Sequence, residues 1–427
     1  PLDDQKTFRI FREGKTNGIF QFESSGMKRY LKELKPTELE DLISMVALYR
    51  PGPIELIPSF IARKHGRERV AYLHPKLEPI LKNTYGIGVY QEQMMQIARD
   101  LAGYTLPEAD TLRKAIGKKI KSLLNEQKDK LLAGMTKDGI DRRTAETIWE
   151  LFPPFARYGF PRAHAACYAL IAYQTAYLKV HWPAEFMASL MTAEGSEVER
   201  VSFLVEEAQA LGIAILPPSV NASNATFTVV SPKEIRFGLG SVKNVGTNVV
   251  EAIVAAREAN GPFASIDDLV ERVQSKDLNK KSMESLIRCG ALDELGERGE
   301  LLANLDRVLE YAREAQKTRA AGQSSLFASV DTGKRALLRL EPAAPAEKKD
   351  RLAWEKELLG LYVTEHPLEE YRERLAGKAT AVARLGEHPK DAVVSVAGLV
   401  SGVDRIVTKA GTPMLFVKLE DLTGRAE

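Results

Sequence analysis

Through its first 216 residues the chain alternates between apolar runs of helical period and short Gly/Pro interruptions. Apolar positions near a 3.6-residue period predict helices over residues 92–102 and 163–179. Breaks are expected at Arg50-Pro51-Gly52-Pro53, at Gly117, at Pro153-Pro154 and at Trp182-Pro183. Leu216-Pro217-Pro218 reads as a boundary. After it, residues 226–230 and 234–238 form two short strands joined through Ser231-Pro232-Lys233, and residues 242–309 read as short helices with glycine-containing turns. Composition shifts near Thr318: residues 320–323 are small and polar, and residues 341–350 (EPAAPAEKKD) read as a linker. Residues 352–362 suit one more helix. From Ala392 the period becomes that of strands, at 393–400, 403–408 and 414–419, with turns at Ala410-Gly411-Thr412-Pro413 and Thr423-Gly424. The pattern predicts a mainly α, multidomain chain with a small β-hairpin and a β C-terminus, and no solenoid repeat.

Composition narrows this picture. At 427 residues the chain has room for about three domains of ~150 residues, enough to bury cores without disulfide or metal staples. The 60 basic against 58 acidic residues leave a charge of only +2, so any basic surface must be local. The 2 cysteines, Cys167 and Cys289, form no CxxC pair and point to a reducing compartment. The scattered histidines give no zinc-ligand spacing. Uncharged residues 208–232 are broken by Pro217-Pro218, and residues 163–178 are too short for a bilayer and contain His164 and Gln174, so a buried helix is expected there instead of a membrane span. The start at Pro1, with no initiator Met or signal peptide, and an end within strand-like sequence read as a section of a longer protein.

Four groups of residues suit chemistry. Arg113, Lys114, Lys118, Lys119 and Lys121 form a basic run with no Asp or Glu between Thr111 and Lys121, and on one helix Lys114, Lys118 and Lys121 would share a face. Such a run fits either a solvated face or an anion site, and Gly117 within it counts against a plain solvated helix. Residues 151–184 lack Asp and Glu and interleave Arg157, Arg162, His164, Lys179 and His181 with aromatics, a composition suited to phosphate contact and base stacking. Pro161 would open the next helix, placing Arg162 and His164 where unpaired N–H groups attract anions; Tyr173 and Tyr177 suit the core, and a core position also fits His164. Third, Lys243, Asn244, Val245 and Gly246 precede a helical run and would form a tight hairpin that presents backbone N–H groups to phosphate, with a looser copy turning at Cys289-Gly290-Ala291. Asn244 takes a left-handed conformation more readily than most residues. Fourth, Gln323, Ser324, Ser325, Leu326 and Phe327 place a Leu-Phe pair on a polar stretch, either as a docking motif or folded back on the preceding helix. No clustered carboxylates stand out for metal-assisted phosphoryl transfer; Asp3 and Asp4 read as a helix N-cap.

The chain resembles the C family of bacterial replicative polymerases, the DNA polymerase III alpha subunits. The resemblance rests on GIFQFES (18–24), YRPGP (49–53), TYGI (84–87), YQEQ (90–93), ARDLAGY (98–104), ADTLRKAIGKK (109–119), YGF (158–160) through His164 to Tyr168, AYQT (172–175), PAEFM (183–187), ILPP (215–218) and LYVTEHP (361–367). It implies a helical fingers domain over 1–216, a duplex- and clamp-binding domain with tandem helix–hairpin–helix over 217–320, a clamp motif and linker over 321–391, and the first strands of an OB-fold over 392–427. It implies nucleotide binding by Arg113, Lys114, Lys118, Lys119, Arg162 and His164, duplex binding by Lys243, Asn244, Val245, Gly246 and Gly290, and sliding-clamp binding by residues 323–327. Family members commonly have Arg-Arg where this chain has Arg113-Lys114, and Phe-Asn-Lys-Ser-His where it has Phe160-Pro161-Arg162-Ala163-His164. The parent reaction would join a deoxynucleoside triphosphate to a primer 3′-hydroxyl with Mg²⁺, whose carboxylate ligands belong to a palm domain upstream of Pro1, so this chain alone is expected to be inactive. Primer–template DNA and other replisome subunits are the implied partners, in the cytoplasm and without a membrane. The other readings are a non-catalytic DNA-binding and clamp-tethering module, or a damage-tolerant paralogue.

Overall fold

The structure is a computed structural model that describes residues 1–427 except 119–120, 154–158, 196, 274, 276, 321–337 and 409–410. The chain divides into two compact units, Pro1–His181 and Trp182–Glu427.

The first unit is helical: α1 (Gln5–Glu13), α2 (Ser25–Leu34), α3 (Leu39–Leu48), α4 (Ile57–Lys64), α5 (Gln91–Ala102), α6 (Leu106–Lys118), α7 (Lys121–Lys137), α8 (Arg142–Trp149) and α9 (Arg162–His181). The helices expected over 92–102 and 163–179 are α5 and α9. In α9, Ala165, Ala169, Ala172 and Ala176 recur at i+4, i+3 and i+4 and are wholly buried. Their small side chains let α9 lie against α3, whose Leu42 and Met45 are likewise buried. A second cluster around Leu101, Leu112, Leu131, Ile148 and Phe152 joins α5, α6, α7 and α8. Gly117 does not break the chain, since α6 passes through it to Lys118. An interior glycine costs about 1 kcal/mol relative to alanine, too little to stop a helix whose Ala109, Leu112 and Ala115 are buried.

Asp4 is the N-cap of α1, as its position before residues 6–11 suggested: its carboxylate accepts from Thr7 N at 2.8 Å and Thr7 Oγ1 at 2.6 Å, and Nε2 of His181 lies 3.1 Å away. The Thr7 hydroxyl chiefly, then His181, hold the Asp4 pKa down to about 2 against partial desolvation. A depressed carboxylate pKa stabilises the fold above the ordinary value of 3.8, and that contribution is lost as pH falls through about 2. Thermal melts across this window are expected to show a weaker pH dependence in Asp4→Ala than in the parent chain. Identical slopes would place the acid sensitivity elsewhere.

The second unit opens with α10 (Pro183–Ala193) and α11 (Val198–Ala210), followed by β1 (Ala214–Leu216), β2 (Thr228–Ser231) and β3 (Glu234–Arg236). The expected hairpin is β2–β3, antiparallel, with β1 added parallel to β3. Sequence gave no sign of β1, because three residues are too few to show a period. Ala184, Met187, Leu204 and Val205 share one core with Ile235, Val249, Leu269 and Leu286, so residues 182–216 pack within this unit. Pro217-Pro218 follow β1 without interrupting that core. The helices α12 (Thr247–Asn260), α13 (Ile266–Arg272), α14 (Lys280–Arg288), α15 (Arg298–Ala303) and α16 (Leu305–Ala320) follow.

The expected linker at 341–350 is a docked segment. Asn304, 2% exposed, exchanges two hydrogen bonds of 2.8 Å with the Glu341 backbone, and Ala346 N donates to Glu297 Oε1 at 2.9 Å. A Pro/Ala composition describes stiffness, not whether side chains elsewhere supply partners for the extended backbone. The chain then enters α17 (Lys348–Leu359), which buries Leu352, Glu355, Leu358 and Leu359. At the C-terminus β4 (Leu399–Val407), β5 (Pro413–Glu420) and β6 (Arg425–Ala426) form an antiparallel meander. The strand expected from residue 393 begins only at Leu399 and runs, through a register shift between Val400 and Gly402, into the one expected at 403–408. Val393 is fully exposed and has no strand to pair with among the described residues. Among the described residues no helix is long and apolar enough to cross a membrane.

Candidate nucleotide and nucleic-acid sites

Arg113 and Arg162, one from each basic group of the first unit, both reach the start of α5. Tyr90 forms a parallel bridge with Phe160; Gln91 N donates to Phe160 O at 3.0 Å, and Gln91 Nε2 to Gly159 O at 3.1 Å. This stitching brings the entry of α9 beside the entry of α5. Arg113, on α6, reaches Gln91 Oε1 through Nη1 at 3.5 Å. On the neighbouring residue, the Glu92 carboxylate accepts from Arg162 N at 3.0 and 2.9 Å. Arg113 and Arg162, 49 positions apart, are thereby linked through Gln91 and Glu92.

The cations have local counter-charges that the sequence window missed. Asp110 lies one residue before that window and accepts from Arg113 Nη2 and pairs with Lys114 Nζ, both at 2.7 Å. Arg162 Nη2 donates to Glu40 of α3 at 2.5 Å. These contacts are partly exposed, so each contributes little to stability and exchanges readily for another anion. Lys118 is the last residue of α6 and Lys121 the first of α7, with Lys119 outside the described residues, so the face expected of Lys114, Lys118 and Lys121 falls on a stretch that the described residues do not span. His164 is exposed, not core: its ring stacks on Tyr168 at 4.4 Å and meets Phe160 edge-on at 5.2 Å. Arg50, from the YRPGP segment, sits over the Phe160 ring at 4.2 Å, and desolvation lowers its pKa. Burial likewise raises the pKa of Tyr90, whose hydroxyl lies 3.0 Å from Ser44 Oγ. Sequence reasoning missed Glu40, Arg50, Gln91, Glu92 and Asp110 as parts of this locality. Of these, Asp110 alone had a signal, its i+3 and i+4 spacing to the cations.

In the second unit Asn244 adopts the left-handed conformation, φ 67°, as its residue type allows. Its Nδ2 donates to Ser285 Oγ at 3.3 Å, while Val245 is buried and Gly246 is the N-cap of α12. The element before the hairpin is a single 3₁₀ turn, Leu239–Ser241, not a full helix. The Lys243 N–H is taken by Leu358 O at 3.1 Å. The N–H groups of Gly246, Thr247 and Asn248, at the exposed start of α12, have no acceptor among the described residues. These three, with the exposed Asn244 N–H, which likewise has no acceptor among the described residues, are backbone donors open to a phosphate.

The looser copy differs further. Gly290 has φ 84° and is buried, and a Cβ there would strike the Arg298 guanidinium. Turns follow Ala291 until α15 begins at Arg298. Burial pushes the neighbouring Cys289 thiol up to about 12, which leaves it inert as a nucleophile. Gln323, Ser324, Ser325, Leu326 and Phe327 lie outside the described residues. No group of three His, Cys, Asp or Glu able to hold a metal ion occurs among the described residues.

Residues 1–139 match the family model described as the bacterial DNA polymerase III alpha subunit finger domain, and residues 212–301 match a helix-hairpin-helix motif. The DNA polymerase III subunit alpha of Thermus aquaticus is 43% identical over 436 residues, covering 100% of this chain and 35% of its own length. That of Chlamydia pneumoniae is 43% identical over 413 residues, covering 96% and 33%. The Pseudomonas aeruginosa subunit is 41% identical over 453 residues, covering 100% and 38%. The chain spans about a third of the length of these relatives. With the finger model, the hairpin motif and identity along its whole length in agreement, the chain belongs to the bacterial DNA polymerase III alpha subunit family.

Proposed function

We propose that this chain is the substrate-handling section of a replicative DNA polymerase: its first unit grips the triphosphate of the incoming nucleotide, and its second holds duplex DNA and the sliding clamp. The observation that carries the nucleotide reading is the joining of Arg113 and Arg162 across Gln91 and Glu92. Phosphoryl transfer asks the protein mainly for positioning and charge neutralisation. A triphosphate would replace Asp110 on Arg113 and Lys114 and Glu40 on Arg162, exchanging weak exposed pairs for charge-assisted bonds to a more highly charged anion. His164, exposed two residues after Arg162, would add a donor to the same anion. Lys114 supplies charge without the bidentate fork of arginine. Duplex binding rests on the open N–H groups at the start of α12, which meet phosphate oxygens without reading bases.

In a full-length polymerase carrying this sequence, Arg113→Ala is expected to raise the Michaelis constant for nucleotides, or lower turnover, by roughly tenfold or more, since a hydrogen bond to a charged group contributes about 1.5–3 kcal/mol. Primer–template affinity should hardly change. Steady-state kinetics beside a duplex-binding titration decides it: an unchanged nucleotide dependence would remove Arg113 from the site.

A further inference from the structure

Phe20 is 39% exposed, although its neighbours Ile19 and Phe22 are 1% and 0% exposed. The loop that carries it is held by Lys179, itself 3% exposed, whose Nζ donates to Asn17 O at 2.8 Å and Lys15 O at 3.3 Å. Thr16 Oγ1 closes the loop onto Phe22 O at 2.7 Å. Gln21 has φ 64°, a conformation that costs a non-glycine residue about 1 kcal/mol or more. A buried lysine and a left-handed glutamine thus fix a large apolar side chain at the surface.

The Phe20 ring does not stand alone. It lies 5.2 Å from Tyr168 at 38°, Tyr168 lies 4.4 Å from His164 at 27°, and His164 meets Phe160 at 5.2 Å. The column therefore runs from Phe20 to His164 in the proposed triphosphate site, and ends under the Arg50 guanidinium. Two of its members, Phe20 and His164, are exposed. The α9 sequence beneath it has no Asp or Glu, so nothing on that helix repels a polyanion.

We propose that Phe20, backed by Tyr168 and His164, is a stacking platform for an unpaired nucleobase of single-stranded DNA beside the triphosphate site. Planar rings with an exposed face stack on any base, and nearby guanidinium groups neutralise the strand's phosphates. The inference rests on the nucleotide reading of the adjacent site, and it is tested by a signal that does not depend on Arg113.

The experiment titrates this chain with a single-stranded oligonucleotide containing 2-aminopurine, whose fluorescence is quenched by stacking. A matched oligonucleotide with one abasic position serves as control. Phe20→Ala is expected to weaken binding of the base-containing strand by on the order of tenfold and to abolish the quench. Phe20→Trp should retain both, and the abasic strand should bind the parent chain and Phe20→Ala alike. The proposal is overturned if Phe20→Ala leaves affinity and quench unchanged, if the abasic strand suffers the same loss, or if the melting temperature falls with the affinity, which would make Phe20 part of the fold. Loss of deoxynucleoside triphosphate affinity in Phe20→Ala, with the single strand unaffected, would assign the platform to the nucleotide's own base and also overturn it. Failure of the triphosphate reading would show instead as unchanged triphosphate affinity in Arg113→Ala.

Discussion

Glu355→Ala is expected to destabilise the second unit by about 3–5 kcal/mol, the cost of breaking a buried ion pair together with the backbone hydrogen bonds that its carboxylate accepts. Glu355 is 0% exposed on α17. Its Oε1 accepts from Arg298 Nη1 at 3.0 Å, and its Oε2 from Val363 N at 3.0 Å and Thr364 N at 3.1 Å. Arg298, whose side chain is 4% exposed, also donates to Asp293 twice at 2.8 Å and to Arg288 O at 3.1 Å. Desolvation alone would lower the Arg298 pKa; the Asp293 and Glu355 carboxylates outweigh it and raise the value, so the guanidinium stays charged. Removing Glu355 would leave the buried guanidinium to the more exposed Asp293 alone and orphan the Val363 and Thr364 N–H groups together. Glu355→Gln keeps the shape and one amide oxygen, and should cost distinctly less. Urea denaturation followed by tryptophan fluorescence measures it, with Trp354 lying beside the Arg288 guanidinium at 5.4 Å. If the alanine and glutamine variants unfold at the same midpoint as the parent, the pair contributes nothing and the docking of α17 rests on Leu352, Leu358 and Leu359 alone.

That cluster also shows what the sequence could and could not reveal. Long periodic segments such as α5 and α9 were legible, because apolar spacing over a dozen residues leaves few alternatives. Asn244 was legible for a different reason: its backbone conformation is restricted by residue type alone. Arg298 and Glu355 carried no signal, since a pair 57 positions apart becomes one feature only when α17 folds against α15. Gly290 read as a hairpin glycine like Gly246; the fold adds a constraint that sequence did not show, since a Cβ there would meet the Arg298 guanidinium. The basic cluster was legible as a set of cations and misread in its balance. Its counter-charges come from Asp110, just outside the window, and from Glu40, which lies 122 positions from Arg162. Local pattern identifies groups with chemistry; the tertiary fold decides which of them are already neutralised.

Leu326→Ala combined with Phe327→Ala is expected to abolish measurable binding to a sliding clamp while leaving the melting temperature of the chain in place. The expectation rests on the sequence of residues 323–327, which lie between α16 and the docked segment that begins near Glu341. Five residues can bury little area on a clamp, so an affinity from this segment would have to come from a few anchors. Leu326 and Phe327 are its only large apolar side chains, and Gln323 is suited to satisfy polar groups at a pocket edge. A buried aromatic anchor contributes about 2 kcal/mol or more, roughly thirtyfold in affinity, and losing two such anchors multiplies the effect. The flanking sequence, small and polar at residues 320–323, offers these side chains no evident core of its own. Calorimetric titration with the clamp beside a thermal melt of the same double variant separates the possibilities. Retained affinity would move the clamp contact to another surface of the chain, whereas a large fall in melting temperature would show that Leu326 and Phe327 pack against the fold.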